Sequence, residues 1–156
     1  MRVRAAKGRF TASEEISREA AWGRLTEMLG GGWRNCWLIP YVNFEPINTD
    51  RLRANVRLEA ETALHGKYPC ELTAWDEENK RFSLKIMYHP EYFTEYEFAV
   101  NEFMNGGTFI DARLARNHGQ GLLARVVGKP ESIEEALSRT LSYIPIKGRI
   151  DFVKAE

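Results

Sequence analysis

Glu91, Glu95, Phe98 and Glu102 follow the i, i+4, i+7, i+11 spacing that lines side chains along one face of a helix. Three carboxylates with an aromatic ring among them suit a basic protein surface, the ring filling a pocket while the charges steer and fix register. Glu97 and Thr94 flank this row. A second set is basic. Arg2, Arg4, Lys7 and Arg9 lie near the start of the chain, and Arg113, Arg116, His118 and Arg125 surround the turn sequence Asn117-His118-Gly119-Gln120-Gly121. Donors of that kind around mobile glycines can cradle phosphate, which points to a nucleotide or nucleic acid.

Catalytic patterns are sparse. His65, His89 and His118 show no HxxxH or HExxH spacing, so neither a metal site nor a cofactor is expected. His118 or His89 could serve as the base of a small hydrolase, which is a third reading. No GxSxG elbow is present. Cys36 lies in an apolar stretch with no activating neighbour. Gly30-Gly31-Gly32 follows a helical pattern and lacks the Lys-Ser/Thr of a phosphate loop. Trp33, Trp37, Tyr41 and Phe44 could stack bases, but large aromatics more often pack cores, and packing is the expectation.

Composition narrows the classes. Lys+Arg and Asp+Glu are 22 each over 156 residues, so no global field draws the chain to nucleic acid or membrane. The charge is segregated: residues 1–32 carry +2, 67–106 carry −4 and 107–156 carry +2. Two cysteines without CxxC spacing fit a reducing, cytoplasmic setting. The longest nearly apolar run, Cys36–Val42, contains Pro40 and is too short to span a bilayer, so no membrane role is expected.

The elements that must position these residues are read from periodicity. Residues 1–10 predict a basic, flexible tail, and 11–156 a single compact α+β domain. Thr11 to Glu14 resembles a capping box, followed by an apolar stripe Ile16, Ala20, Ala21, Leu25, Met28, Leu29 to Gly30, which predicts a helix. Trp33 to Pro46 reads as a strand. Residues 50–65 fit both a strand and a helix, with a slight lean to helix. Cys70–Trp75 and the alternation Phe82, Leu84, Ile86, Tyr88 predict a hairpin. Tyr92/Phe93, Tyr96, Ala99/Val100 and Phe103/Met104 recur at helical spacing up to Asn105-Gly106-Gly107, which predicts a central helix over Tyr92–Met104. Strands follow over 109–115 and 122–127, then a helix led by Ser132, then a closing strand through Ile150 and Phe152.

The expected class is therefore α+β, an antiparallel sheet packed by two to four helices. From about residue 81 the order βαββαβ matches a ferredoxin-like motif. The Cys70–Trp75 hairpin partner fits that motif poorly, because it would flank a strand already central.

The functional expectation is a non-enzymatic macromolecular interaction protein: an inhibitor, adaptor or assembly subunit of phage or mobile-element type. It would dock the acidic helix face on a protein with a basic surface, or on a second copy as a homo-oligomer. The alternative is nucleic-acid or nucleotide binding through the basic residues.

Overall fold

The computed structural model describes residues 3–30, 36–47, 51–117 and 132–155. Eight strands form one sheet: β1 (Arg4–Ala12), β2 (Tyr41–Pro46), β3 (Val56–Thr62), β4 (Gly66–Asp76), β5 (Arg81–His89), β6 (Tyr92–Glu102), β7 (Thr108–Arg116) and β8 (Gly148–Ala155). Their order across the sheet is β2-β3-β4-β5-β6-β7-β1-β8, with every pair antiparallel. Among the described residues there are two α-helices, α1 (Arg18–Thr26) and α2 (Ile133–Ser142), and a 3-10 turn over Glu27–Gly30.

This corrects the α+β, ferredoxin-like expectation. β2 to β7 run as a meander of hairpins, which needs no crossover helix. A split βαβ needs parallel strands joined by helices, and among the described residues every strand pair is antiparallel.

The decisive segment is Tyr92–Glu102, which is strand β6 and not a helix. Thr94, Tyr96, Phe98 and Val100 point to the core, while Glu95, Glu97, Ala99 and Asn101 point outward. β-Branched and aromatic residues on both faces favour a pleated, doubly flanked strand over a helix. Both faces carry rings, so the same residues also satisfy a helical period. His89-Pro90-Glu91 is the turn of the β5–β6 hairpin, which sets Phe82 opposite Phe98 and Leu84 opposite Tyr96. The β4–β5 hairpin agrees with the sequence pattern. Within the segment 50–65 the structure forms strand β3 over Val56–Thr62, with Val56, Leu58, Ala60 and Thr62 inward, and no helix among its described residues.

Within the basic segment expected to be a tail, residues from Arg4 onward form a strand. β1 sits between β7 and β8, with Ala6 0% and Phe10 4% exposed. Its inward side chains are small apart from Phe10, which makes it resemble a tail in sequence. Thr11 belongs to this strand. The cap of α1 is Ser17, whose Oγ accepts the Ala20 amide at 3.0 Å. Glu14 instead accepts the Lys147 amide at 2.6 Å and the Arg24 guanidinium at 3.1 Å, tying α1 to the approach to β8.

Both helices pack on one face of the sheet, the inner face, and share one apolar cluster with it. Ser132 caps α2 by accepting the Glu135 amide at 3.1 Å, and Ile133, Ala136, Leu137 and Leu141 are buried. No helix of the described residues is long and apolar enough to cross a membrane.

Candidate functional site

The two ends of the inner face differ. At the end carrying the β4–β5 turn, α1 seals the sheet. Trp22 packs on Trp75 at 5.0 Å and on Phe82 at 5.7 Å, and Trp37 donates to the Leu25 carbonyl at 2.9 Å. Arg18 clamps the same end, its Nε donating to the Val100 carbonyl and Nη2 to that of Asn79, both at 2.8 Å.

The other end carries the β3–β4 and β5–β6 turns, and there tyrosines replace aliphatic residues. The Tyr41 and Tyr88 hydroxyls are hydrogen-bonded to each other, and Thr94 hydrogen-bonds to Tyr88. Tyr68 meets Tyr88 edge-on at 5.1 Å. Tyr96 and Cys70 lie beside Tyr41, which is 1% exposed. Four strands therefore contribute to one polar line in an apolar face, because Tyr68, Tyr88, Thr94 and Tyr96 all have inward parity. Tyr68 and Tyr88 are half-buried, so the line reaches toward solvent.

Burial decides the electrostatics. It pushes the Tyr41 phenol well above its ordinary value of 10.0, and neighbouring Tyr88 and Tyr96 add to the shift. Burial also raises Tyr88, while its hydrogen bonds with Thr94 and Tyr41 pull the other way. The Cys70 thiol is raised to about 12 and that of Cys36 to about 11, again chiefly by burial. At neutral pH these groups are uncharged hydrogen-bonding groups, poorly suited to act as bases or nucleophiles.

The acidic helix face does not form. Phe98 is 2% exposed, against Trp37 at 5.3 Å and Phe82 at 5.4 Å. Glu95 is on the outer face, accepting from Thr73 Oγ1 at 3.0 Å. Glu91 lies in the β5–β6 turn and Glu102 at the far end of β6. In a strand these positions alternate faces or stand far apart, so they present no common surface.

The basic set is divided by strand parity. Lys7, Arg9 and Arg113 come together on the outer face, with Lys7 directly opposite Arg113 and Arg9 opposite Asp111. Arg4 and Arg116 pair with each other, and Arg116 stands opposite Thr94 at the tyrosine end. Arg2, His118 and Arg125 lie outside the described residues, as does the strand expected over 122–127. His65 is in the β3–β4 turn. His89 ends β5, where its Nδ1 accepts the Glu91 amide at 3.3 Å.

Sequence reasoning missed the tyrosine line. Its members are dispersed from Tyr41 to Tyr96, so no local motif marks them. The available signal was the inward parity that Tyr88 shares with Phe82, Leu84 and Ile86.

No protein-family model and no curated protein matches the chain. Solved structures do resemble it. Ara h 8.0201 superposes with a TM-score of 0.60 at 12% identity, covering 92% of this chain and 95% of that one. Truncated norcoclaurine synthase from Thalictrum flavum gives 0.57 at 10% identity, covering 90% and 92%. A point mutant of norcoclaurine synthase from the same plant, in complex with a transition-state analogue, gives 0.51 at 10% identity with the same coverage. The fold is Bet v 1-like. Likeness at this identity concerns the fold and does not carry over an activity. Nothing in these comparisons supports a phage or mobile-element origin.

Proposed function

We propose that this chain binds a small amphipathic molecule at the tyrosine end of the inner face of its sheet, head group toward the Tyr88 hydroxyl and apolar body against the Tyr68 ring, the two half-buried members of the line. The observation that carries the reading is a line of hydrogen-bonded hydroxyls set in an otherwise apolar face, at the end of the sheet away from α1. A few convergent polar groups on apolar walls are the usual make-up of a small-molecule site. Arg116, opposite Thr94, adds positive charge and favours an acidic head group. The Thalictrum flavum structure with a transition-state analogue lends support, since a protein of this fold there holds a small molecule. The raised phenols and thiols stay protonated at neutral pH, so at this end of the face they serve as hydrogen-bonding groups rather than as bases or nucleophiles.

Anilinonaphthalene sulfonate, an apolar body with an acidic head, is the test probe. Titrating it should enhance its fluorescence and move the ring resonances of Tyr68 and Tyr88. Tyr88→Phe with Arg116→Gln should weaken binding several-fold. If the Tyr68, Tyr88 and Thr94 resonances stay fixed at saturating probe, the inner face is not the site.

A further inference from the structure

The outer face of the sheet carries an open trough of about 1200 Å³ that crosses from Asp151 of β8 to Ala74 of β4. Six strands at about 4.8 Å spacing make it roughly 24 Å long. Its floor is made of small groups, Gly8, Ala99, Ser83 and Ala74, so no side chain fills it. Along its walls stand the cations Lys7, Arg9, Arg18, Arg81 and Arg113 and the carboxylates Glu97, Asp111 and Asp151.

The arrangement of these charges differs from the row beside it. There Arg57 faces Glu71, Glu71 faces Lys85, and Lys85 faces Glu95, a strict alternation of sign that favours strand pairing. In the trough Arg113 stands between Glu97 on one side and Lys7 on the other, so the alternation of sign breaks at the Lys7–Arg113 pair. Like charges directly opposite destabilise a sheet, so cross-strand pairing does not account for Lys7 standing against Arg113. The carboxylates act locally. Asp111 grips Arg9 through Nε at 2.8 Å and Nη2 at 3.3 Å, seating the guanidinium 4.2 Å over the Phe109 ring. Arg113 is 3.8 Å from Glu97.

We propose that this trough binds the backbone of a single-stranded nucleic acid, with phosphates spaced along the strand held at the Lys7–Arg113 pair, Arg81 and Arg18. Charge complementarity and spacing select this occupant. Lys7 on β1 and Arg81 on β5 are three strand spacings apart, about 14 Å, too far to converge on one phosphate. They suit an extended polyanion lying across the strands. A positively charged groove tracking the backbone is how proteins hold single strands without reading sequence.

The test is fluorescence anisotropy of a labelled oligothymidylate of about twelve nucleotides, a length within the usual site sizes, with the full chain. Three phosphate contacts give a log–log salt slope near −2, roughly a fifteen-fold loss of affinity between about 50 and 200 mM salt. Lys7→Gln with Arg81→Gln, which removes the Arg81 contact and half of the cation pair, should bring the slope to about −1.4 or shallower. Ala99→Glu, which puts a carboxylate on the floor and leaves every cation in place, should also abolish binding. Arg57→Gln, outside the trough, should leave it unchanged. Absence of binding at the lower salt overturns the proposal, as does a folded Lys7/Arg81 variant that binds like the parent. Displacement of the oligonucleotide by an equal phosphate concentration of inorganic phosphate would indicate a single-anion site and overturn it too.

Discussion

Phe98→Ala separates a core residue from a surface anchor. The Phe98 ring is packed between Trp37 at 5.3 Å and Phe82 at 5.4 Å, with Tyr96 stacked at 6.3 Å. Truncating a fully buried phenylalanine costs about 3–5 kcal/mol through lost transfer energy and the cavity left behind. Aromatic pairs add about 0.5–1.5 kcal/mol each beyond area, so three partners place the expected loss toward the upper end. For a chain of this size about 1 kcal/mol moves Tm by roughly 2–4 °C, giving an expected fall of about 10–20 °C. Glu95→Ala, on the opposite face of the same strand, removes one half-buried acceptor and should cost about 1 kcal/mol. Thermal and urea unfolding followed by circular dichroism measure both. A Phe98→Ala protein that keeps its sheet and loses less than about 1 kcal/mol would put the ring at the surface and refute the inward parity of β6.

Other expectations follow from single contacts. Gly148→Ala places a methyl against the Thr11 carbonyl oxygen and the Phe10 ring, so β8 must shift from β1. Overpacking of this kind costs about 1–3 kcal/mol, and hydrogen exchange should show β8 amides losing protection while β3–β6 hold theirs. Ser17→Ala removes the α1 cap at a cost of about 1 kcal/mol, readable in urea unfolding, whereas Thr11→Ala should leave helix content unchanged. Raised thiols make stability sensitive to alkali: Cys36 and Cys70 ionise near 9.0 when unfolded but at about 11 and about 12 when folded. Their contribution is complete below pH 9 and fades as pH rises toward 11–12, so Cys70→Ala should flatten the stability profile in that window. A thiol reagent at neutral pH should label Cys70 only as fast as the protein unfolds, and rapid labelling of the folded state would contradict its burial.

Some elements were legible because one period dominated. Phe82, Leu84, Ile86 and Tyr88 alternate without competition, and Ile133, Ala136, Leu137 and Leu141 carry a clear helical stripe behind the Ser132 cap. Tyr92–Glu102 was not legible, because its outward Phe93 and Ala99 complete a helical period with the inward Tyr96 and Val100. Lone periodicity cannot rank the two; cross-strand pairing with Phe82 and Leu84 does. β1 was obscured for a different reason. Its burial comes from neighbours about a hundred residues away, and Lys7 and Arg9 are charged because they face outward. The candidate site was hidden by the same non-locality, since its hydroxyls meet only after four strands are set in register.

The place of β1 in the sheet has a consequence for how the protein is made. Arg9 meets Asp111 across 102 positions of chain, and Thr11 meets Asp151 across 140. Closing a loop ten times longer than a hairpin's costs about 2 kcal/mol more in entropy. While the ribosome is still working, the opening strand has no mate, and the meander from β2 to β7 can zip up hairpin by hairpin beside it. β1 gains its partner only once β7 has been made, so a pause in translation before residue 108 should leave unpaired strand edges and invite aggregation.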